Sequence, residues 1–298
     1  MKLIKPSFEI WEQPAGLEGV YKQIERVGRV CYKSEDKITE DSAKPFVDRM
    51  IKSGHGAMLE HGTVYLKITY KNTNFTTLCM FYGKNKYSVL NHSEDNKIYY
   101  ITTNYRVLVE NNHLSDLKYL CEPSEFHEKR ITVHFVCDRG VSHEFVRHRV
   151  MSFAQESTRY CNYSKDKFGN ELTFIIPCWL DIPTGQYAYW DGDWCNIDKM
   201  KIQLPEGEHK GIDAFLWTLN NAETHYTLLI NSGWKPQQAR AILPNSLKTE
   251  LVITGFTSDW NHFFDLRARG TTGTPHPQAK ELAEPLMKEF IARKYINN

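Results

Sequence analysis

An α+β fold is predicted from three observations. Helical apolar stripes and alternating strand patterns follow one another loosely, no strand–turn–helix unit carries a glycine-rich phosphate loop, and no repeat or low-complexity linker divides the chain. Leu17, Val20, Tyr21, Ile24, Val27 and Cys31 recur at helical spacing and predict an amphipathic first helix. A shorter helix is predicted from Ser42 as N-cap to Gly54 as its stop. Val64, Leu66, Ile68 and Tyr70 alternate with polar or smaller neighbours, as do Ile131, Val133, Phe135 and Cys137, so each run predicts a half-buried strand. Ser142 is placed to cap a helix with Glu144 in its first turn and Phe145 and Val146 as core contacts, ending near Arg147. Ile212, Leu216, Leu219, Tyr226 and Ile230 mark one face of a long helix between Gly211 and Gly233. Pro236 opens a short helical turn carrying Arg240, which Pro244 ends. Between Ser258 and Gly270, Trp260, Phe263, Phe264 and Arg267 fall at i, i+3, i+4 and i+7, which sets a guanidinium on a face that three aromatics bury.

A chain of 298 residues buries roughly three quarters of its unfolded surface, enough for one catalytic unit. With 37 Lys+Arg against 36 Asp+Glu, no global field draws in nucleic acid or an anionic membrane. No run reaches the length of a signal h-region or a membrane span, so a cytoplasmic protein is expected. Seven cysteines without a C-x-x-C pair are expected to be reduced and mostly packed. Neither His55 with His61 nor His143 with His148 has the spacing and third ligand of a hydrolytic zinc site, so no metal is expected.

Arg147-His148-Arg149, followed after seven residues by Ser157 and then Arg159, concentrates guanidinium forks and a hydroxyl in a short stretch. Arginine forks match phosphate or carboxylate oxygens two at a time, so the cluster points to an anion; a basic surface turn satisfied by water is the alternative. Lacking G-x-G-x-x-G and G-x-x-x-x-G-K-[ST] motifs, the chain must hold phosphates with side chains. Arg267 either snorkels from the end of its helix or points into a partly dry cavity and pairs with an anion there. Cys178, beside Ile175, Ile176 and Leu180, is expected to be packed rather than nucleophilic.

The R-H-R-x7-S run resembles the signature of flavin-dependent thymidylate synthases. The likeness extends to Ser152, Gln155 and Ser157-Thr158-Arg159-Tyr160, and to three stations in the family's order: His55 through Glu60-His61, Ala239-Arg240 before Leu243-Pro244, and Asp265-Leu266-Arg267. It implies an α+β subunit with a mixed sheet and packed helices, forming a homotetramer with shared active sites that binds FAD without a Rossmann motif. The implied reaction is methylation of dUMP to dTMP, with methylenetetrahydrofolate as one-carbon donor and NADPH as reductant. Position by position, the resemblance assigns His55, Ala57, Glu60, Arg147, His148, Arg149, Gln155 and His262 to the flavin. Glu144, Arg147, Gln155, Glu156, Ser157, Thr158, Arg159, Arg240 and Arg267 are assigned to dUMP, with Arg240 reaching in from a neighbouring subunit and Arg267 activating the pyrimidine. A guanidinium about 4 Å from the ring, at an effective dielectric of about 20, favours its electron-rich form by roughly 4 kcal/mol. Phe256, Ser258, Ala57 and Ala154 stand where the family often carries polar side chains. One catalytic domain spanning 1–298 is expected, with insertions near 71–130 and 181–205 and extra residues at Gly270 to Pro275. A nucleotide-binding module without catalysis, or a thymidylate synthase using Cys178, remain the competing readings.

Overall fold

The computed structural model describes residues 1–72, 75–93, 95, 97–165, 168–190, 193–197, 200–201 and 209–297. Strands β1 (Lys2–Ile4), β2 (Ser7–Trp11), β3 (Thr63–Thr69), β4 (Val89–His92), β5 (Ile98–Asn104), β6 (Arg130–Asp138), β7 (Ser152–Gln155), β8 (Thr173–Ile175), β9 (Gly185–Trp190), β10 (Asp193–Asn196), β11 (Met200–Lys201) and β12 (Lys248–Phe256) form three sheets. The helices are α1 (Gly16–Tyr32), α2 (Ala43–Lys52), α3 (Gly56–Leu59), α4 (Phe75–Leu78), α5 (Tyr105–Glu110), α6 (Arg139–Phe145), α7 (His209–Asn231), α8 (Pro236–Ala239), α9 (Thr257–Phe264) and α10 (Pro277–Ala292). The α+β expectation is met.

The central sheet has the order β2–β6–β12–β7 and is antiparallel throughout. Its longest pairing, β6 with β12, runs nine residues from Lys248↔Asp138 to Phe256↔Arg130. Odd-numbered Ile131, Val133, Phe135, Cys137, Leu251 and Ile253 share one face and pack under Trp260, Phe263 and Phe264 of α9 and Leu282, Leu286 and Phe290 of α10. On the opposite face, Val252 and Ala154 meet Val27 and Val30 of α1.

A second sheet, β3–β5–β4, packs Val64, Leu66, Ile68 and Ile101 against α1 and α2, with most of it built from the expected insertion near 71–130. The third sheet, β11–β10–β9–β1–β8, buries Leu3, Phe174, Tyr187 and Trp194 under Ile212, Leu216 and Leu219 of α7. It takes strands from the expected insertion near 181–205, of which residues 191–192, 198–199 and 202–205 lie outside the described set.

The expected helices at α1, α2, α7 and α8 and the strands β3 and β6 are present. Two expectations are corrected. α6 is capped by Asp138, whose side chain accepts from Val141 N at 2.7 Å, so Glu144 lies in the helix's second half rather than its first turn. The aromatic helix stops at Phe264 and continues as a wide π-type turn, Asp265–Arg269, that ends at Gly270 (φ +72°). An unexpected strand, β12, lies within the sheet between β6 and β7: buried on both faces, it mixes polar Lys248, Thr249, Glu250 and Thr254 with apolar residues and so shows no period-2 alternation.

No helix among the described residues is long and apolar enough to cross a membrane. Cys137 and Cys161 are buried, but Cys178 is exposed because Pro177 ends the buried run that Ile175 and Ile176 begin.

Gly28 on α1 lies against Phe46 of α2, where a Cβ would stand 2.4 Å from the ring's Cζ. Alanine is the better helix former by about 1 kcal/mol. Gly28→Ala should nevertheless lower unfolding stability in urea by about 1–3 kcal/mol, because Phe46 is buried and must be displaced. Equal or greater stability would show that α1 and α2 are not packed this closely.

Candidate active site

Phe145 is fully buried, with ring centroids 5.1 Å from Phe135 and 4.9 Å from Phe263, and so fixes where α6 ends. The Arg147-His148-Arg149 run leaves the core from that anchor. His148 turns inward, packing on Phe263 at 4.9 Å and edge-on to His262 at 6.0 Å. Arg147 and Arg149 stay exposed, and among the described residues neither guanidinium has a hydrogen bond or ion pair.

The wide turn after α9 carries Arg267 onto this segment. Its Nε donates to His148 Nε2 at 3.0 Å, Nη1 to Glu144 Oε2 at 2.5 Å, and Nη2 to the Glu144 carbonyl at 2.9 Å. The anion that Arg267 meets is therefore Glu144 of its own chain, and all three nitrogens are engaged. Burial lowers the Arg267 pKa; Glu144 pulls it back up and Arg147 pushes it further down.

The Arg267 contact also fixes the state of His148. An Nε2 that accepts a hydrogen bond carries no proton, so the neutral ring holds its proton on Nδ1. Nδ1 is buried and has no partner among the described residues. Burial first, then Arg267, His262 and Arg147, push His148 down to about 4. Glu144, the three signature residues, His262 and Arg267 line a cleft of about 770 Å³, and Thr272 to His276 form its other wall. The extra residues at Gly270 to Pro275 thus belong to the site. Gly270 makes their turn possible, since a Cβ there would lie 2.9 Å from the Gly273 carbonyl oxygen.

The segment from Gln155 to Arg159 leads away from β7. Gln155 Nε2 donates to Ser142 Oγ at 2.8 Å and Thr249 Oγ1 at 3.2 Å. Ser157 N donates to the Cys31 carbonyl at 3.0 Å, and the Ser157 hydroxyl accepts from Arg159 N at 3.3 Å. Arg159 is exposed, 5.5 Å above the Tyr160 ring. One position departs from expectation. The Glu156 side chain has no exposure and its carboxylate is held by Lys248 (2.8 Å) and Tyr163 (2.9 Å), so it does not line a substrate surface. Arg240, the residue expected to serve a neighbouring subunit, is exposed and also donates to Thr158 Oγ1 within its own chain at 3.2 Å.

The remaining stations lie elsewhere. His55 precedes α3 and opens on a second cleft of about 770 Å³, lined by Arg29, Tyr32, Lys33, Arg49 and Tyr160 among others. The two clefts share no lining residue, so one chain does not bring His55, Ala57 and Glu60 onto the Arg267 cleft. Glu60 accepts from Arg106 Nη1 at 2.6 Å, and its carbonyl accepts from Arg130 at 3.0 Å. Both arginines escaped sequence reasoning, since neither lies in the signature stations. Arg130 is 8% exposed, and burial lowers it to about 10.

The altered positions also have partners. Phe256 lies 5.5 Å beneath the Arg130 guanidinium, Ser258 Oγ donates to Glu128 at 2.5 Å, and Ala154 is packed beneath α1. His61 is wholly buried, with Nδ1 2.8 Å from Thr254 Oγ1. Partial burial and Glu281 raise the Cys178 thiol, the opposite of what a nucleophile requires.

Residues 72–293 match the family described as thymidylate synthase complementing protein. The chain belongs to that family. A flavin-dependent thymidylate synthase from Pyrococcus furiosus is 30% identical over 160 residues, 54% of this chain and 53% of its own length. Another, from Corynebacterium aurimucosum, is 22% identical over 282 residues, 94% of this chain and 80% of its own. The chain's match thus spans about half the length of the Pyrococcus relative and most of the Corynebacterium one. A UMP/dUMP methylase from Streptomyces cacaoi, whose structure holds 5-Br dUMP, aligns with a TM-score of 0.44 and 16% identity, covering 98% of this chain and 93% of that one, too distant a likeness to inform the site.

In this member of the thymidylate synthase complementing protein family, His148 and His61 should remain neutral on acidification. His61 is held at about 3, by burial first and then by Arg130. Both folded-state values lie below the ordinary 6.5, so their contribution to stability is present above pH 6.5 and is lost as pH falls towards 4 and 3. ¹⁵N chemical shifts of the two imidazoles at pH 5 should be those of neutral rings; a protonation midpoint at or above 6 for His148 would contradict the Arg267 contact.

Proposed function

We propose that this protein is a flavin-dependent thymidylate synthase that methylates dUMP to dTMP, with methylenetetrahydrofolate as one-carbon donor and NADPH as reductant. The observation that carries this reading is the convergence, in one cleft, of Arg267 with the Arg147-His148-Arg149 signature. FAD fits the residues present. Two exposed guanidiniums without protein partners suit a pyrophosphate, and the buried His148 Nδ1–H lacks the acceptor that a ligand can supply. When bound, FAD supplies the hydride and one-carbon transfer chemistry.

The chain's own residues then divide the remaining work. Arg147, His148, Arg149 and His262 face the flavin, while Gln155, Ser157, Thr158, Arg159 and Arg240 hold dUMP; Ser157, with no base beside it, acts as a hydrogen-bonding group. Arg267 raises the electron density of the pyrimidine by favouring polarisation of its imide. Glu144 tempers that effect, because a carboxylate at 2.5 Å offsets much of the field a lone guanidinium would exert, so substrate must compete with Glu144 for the Arg267 fork. Neutral His148 accepts from Arg267 Nε and keeps the guanidinium aimed across the cleft.

The separated stations bear on assembly. His55, Ala57 and Glu60 complete the flavin environment only if a second subunit brings its α3 to the Arg267 cleft, which supports a homotetramer with shared active sites. The reading takes residues 1–298 as one catalytic domain with two insertions, acting in the cytoplasm.

Purified protein should be yellow and should form dTMP from dUMP, methylenetetrahydrofolate and NADPH. Arg267→Ala should cut methylation at least about 100-fold while retaining FAD absorbance. Colourless protein that cannot be reconstituted with FAD would overturn the reading. Flavin binding without dUMP-stimulated NADPH oxidation would favour a nucleotide-binding module instead, and loss of turnover in Cys178→Ala would favour a cysteine nucleophile.

A further inference from the structure

Beneath the segment that leads from β7 to Arg159 lies a buried charge network. Glu156 is its first member. Both carboxylate oxygens are committed, Oε1 to the Tyr163 hydroxyl at 2.9 Å and Oε2 to Lys248 Nζ at 2.8 Å, and its backbone N–H donates to the Glu250 carbonyl at 2.8 Å. The residue immediately before Ser157 is therefore clamped to β12 through main chain and side chain alike. Lys248 is the hub, since the same ammonium donates to Glu250 Oε1 at 2.6 Å. Glu250 in turn receives His134 Nε2 at 2.9 Å and pairs with Lys33, whose helix, α1, offers the Cys31 carbonyl to Ser157 N.

Two lysines thus balance two carboxylates in a place with little water. The side chain of Glu156 is 0% exposed, Glu250 12% and Lys248 16%. A buried ion pair of this kind is weak evidence for stability, because desolvation consumes most of its Coulombic gain, and an apolar pair of the same shape would fill the space. What such a pair supplies is direction. Lys248 can satisfy both carboxylates only with Glu156 pointing inward, and this orientation leaves Ser157 half-buried and Arg159 exposed beyond it, with Thr158 buried between them under the Arg240 guanidinium. Burial lowers the ammonium's pKa, but the two carboxylates outweigh burial and the net direction is upward, so the hub stays charged throughout the neutral range.

We propose that Lys248 is a positioning residue for the nucleotide: it sets the Ser157–Arg159 segment through Glu156, and the side chains on that segment then meet the phosphate and ribose. The inference rests on the dUMP reading above. It gives the Lys248-x-Glu250 pair on β12 a role in binding substrate without touching it.

The test compares Lys248→Met, Lys248→Arg and Glu156→Gln with the wild-type holoenzyme, reading dUMP affinity by calorimetry, KM and kcat for dUMP, flavin absorbance and thermal stability. Lys248→Met should raise the dUMP dissociation constant and KM roughly tenfold or more, with kcat at saturating dUMP nearly unchanged and flavin retained. Lys248→Arg, which keeps the charge and reaches both carboxylates, should recover most of that loss. A Lys248→Met enzyme with lower thermal stability but dUMP affinity within twofold of wild type would overturn the inference and leave the network a structural one. Should Lys248→Met fail to fold, Glu156→Gln decides: an unchanged dUMP KM in that variant also overturns it. Wild-type protein that binds FAD but no dUMP would instead sink the functional reading itself, and this inference with it.

Discussion

The nine-residue pairing of β6 with β12 is the constraint on which the rest of the molecule depends. These strands are separated by more than a hundred residues in sequence, and their antiparallel register places the end of one beside the start of the other. α6 leaves the sheet at the Asp138 end and α9 at the Phe256 end, and both fold back over the same apolar face. Two helices approaching from opposite ends must meet above the sheet. Glu144 and Arg267 stand at that meeting, and Phe145 and Phe263, in edge contact at 4.9 Å, hold it in place. A one-residue slip in the pairing would turn Ile131, Val133 and Phe135 away from the aromatic layer and separate the site's halves.

The electrostatics on the two faces of this sheet differ. Above the aromatic layer, the charges are sparse and half open: Arg147 and Arg149 reach solvent, His148 is kept neutral, and only Glu144 answers Arg267. On the far face, charges are buried and held in fixed contacts. Arg130 is bound to oxygens of Glu60, Thr63 and Ser152 and lies over Phe256, while Lys248 and Lys33 offset Glu156 and Glu250. The open side suits a transient anionic ligand, and the closed side suits fixed geometry.

What could be read in the sequence followed from periodicity and from dense local signals. α1 and α7 announce themselves by their stripes, and the R-H-R run by its charge. β12 did not, because a strand buried on both faces has no polar alternation, and its Lys248 and Glu250 read as interruptions rather than as a matched pair. Arg267 was legible as a misplaced charge, but its partner was not: Glu144 lies 123 residues away, and only the sheet register brings them together. Ser142 has the side chain of a cap, but Asp138, the last residue of β6, is the one whose carboxylate reaches the first turn of α6. The residues expected to line dUMP included Glu156, whose neighbours on both sides are more accessible; side-chain direction after a strand end depends on the anchors below it, here Lys248 and Tyr163.

The ion pair between Glu60 and Arg106 joins a signature station to the β3–β5–β4 region. Arg106 sits on α5, directly after β5, and its other contact is Glu110 on the same helix. The segment after β5 therefore owns one half of a contact whose other half belongs to a signature station. Such a segment is no passenger: cutting it back would strip Glu60 of its counter-charge, so α5 and the station at Glu60 must change together or not at all.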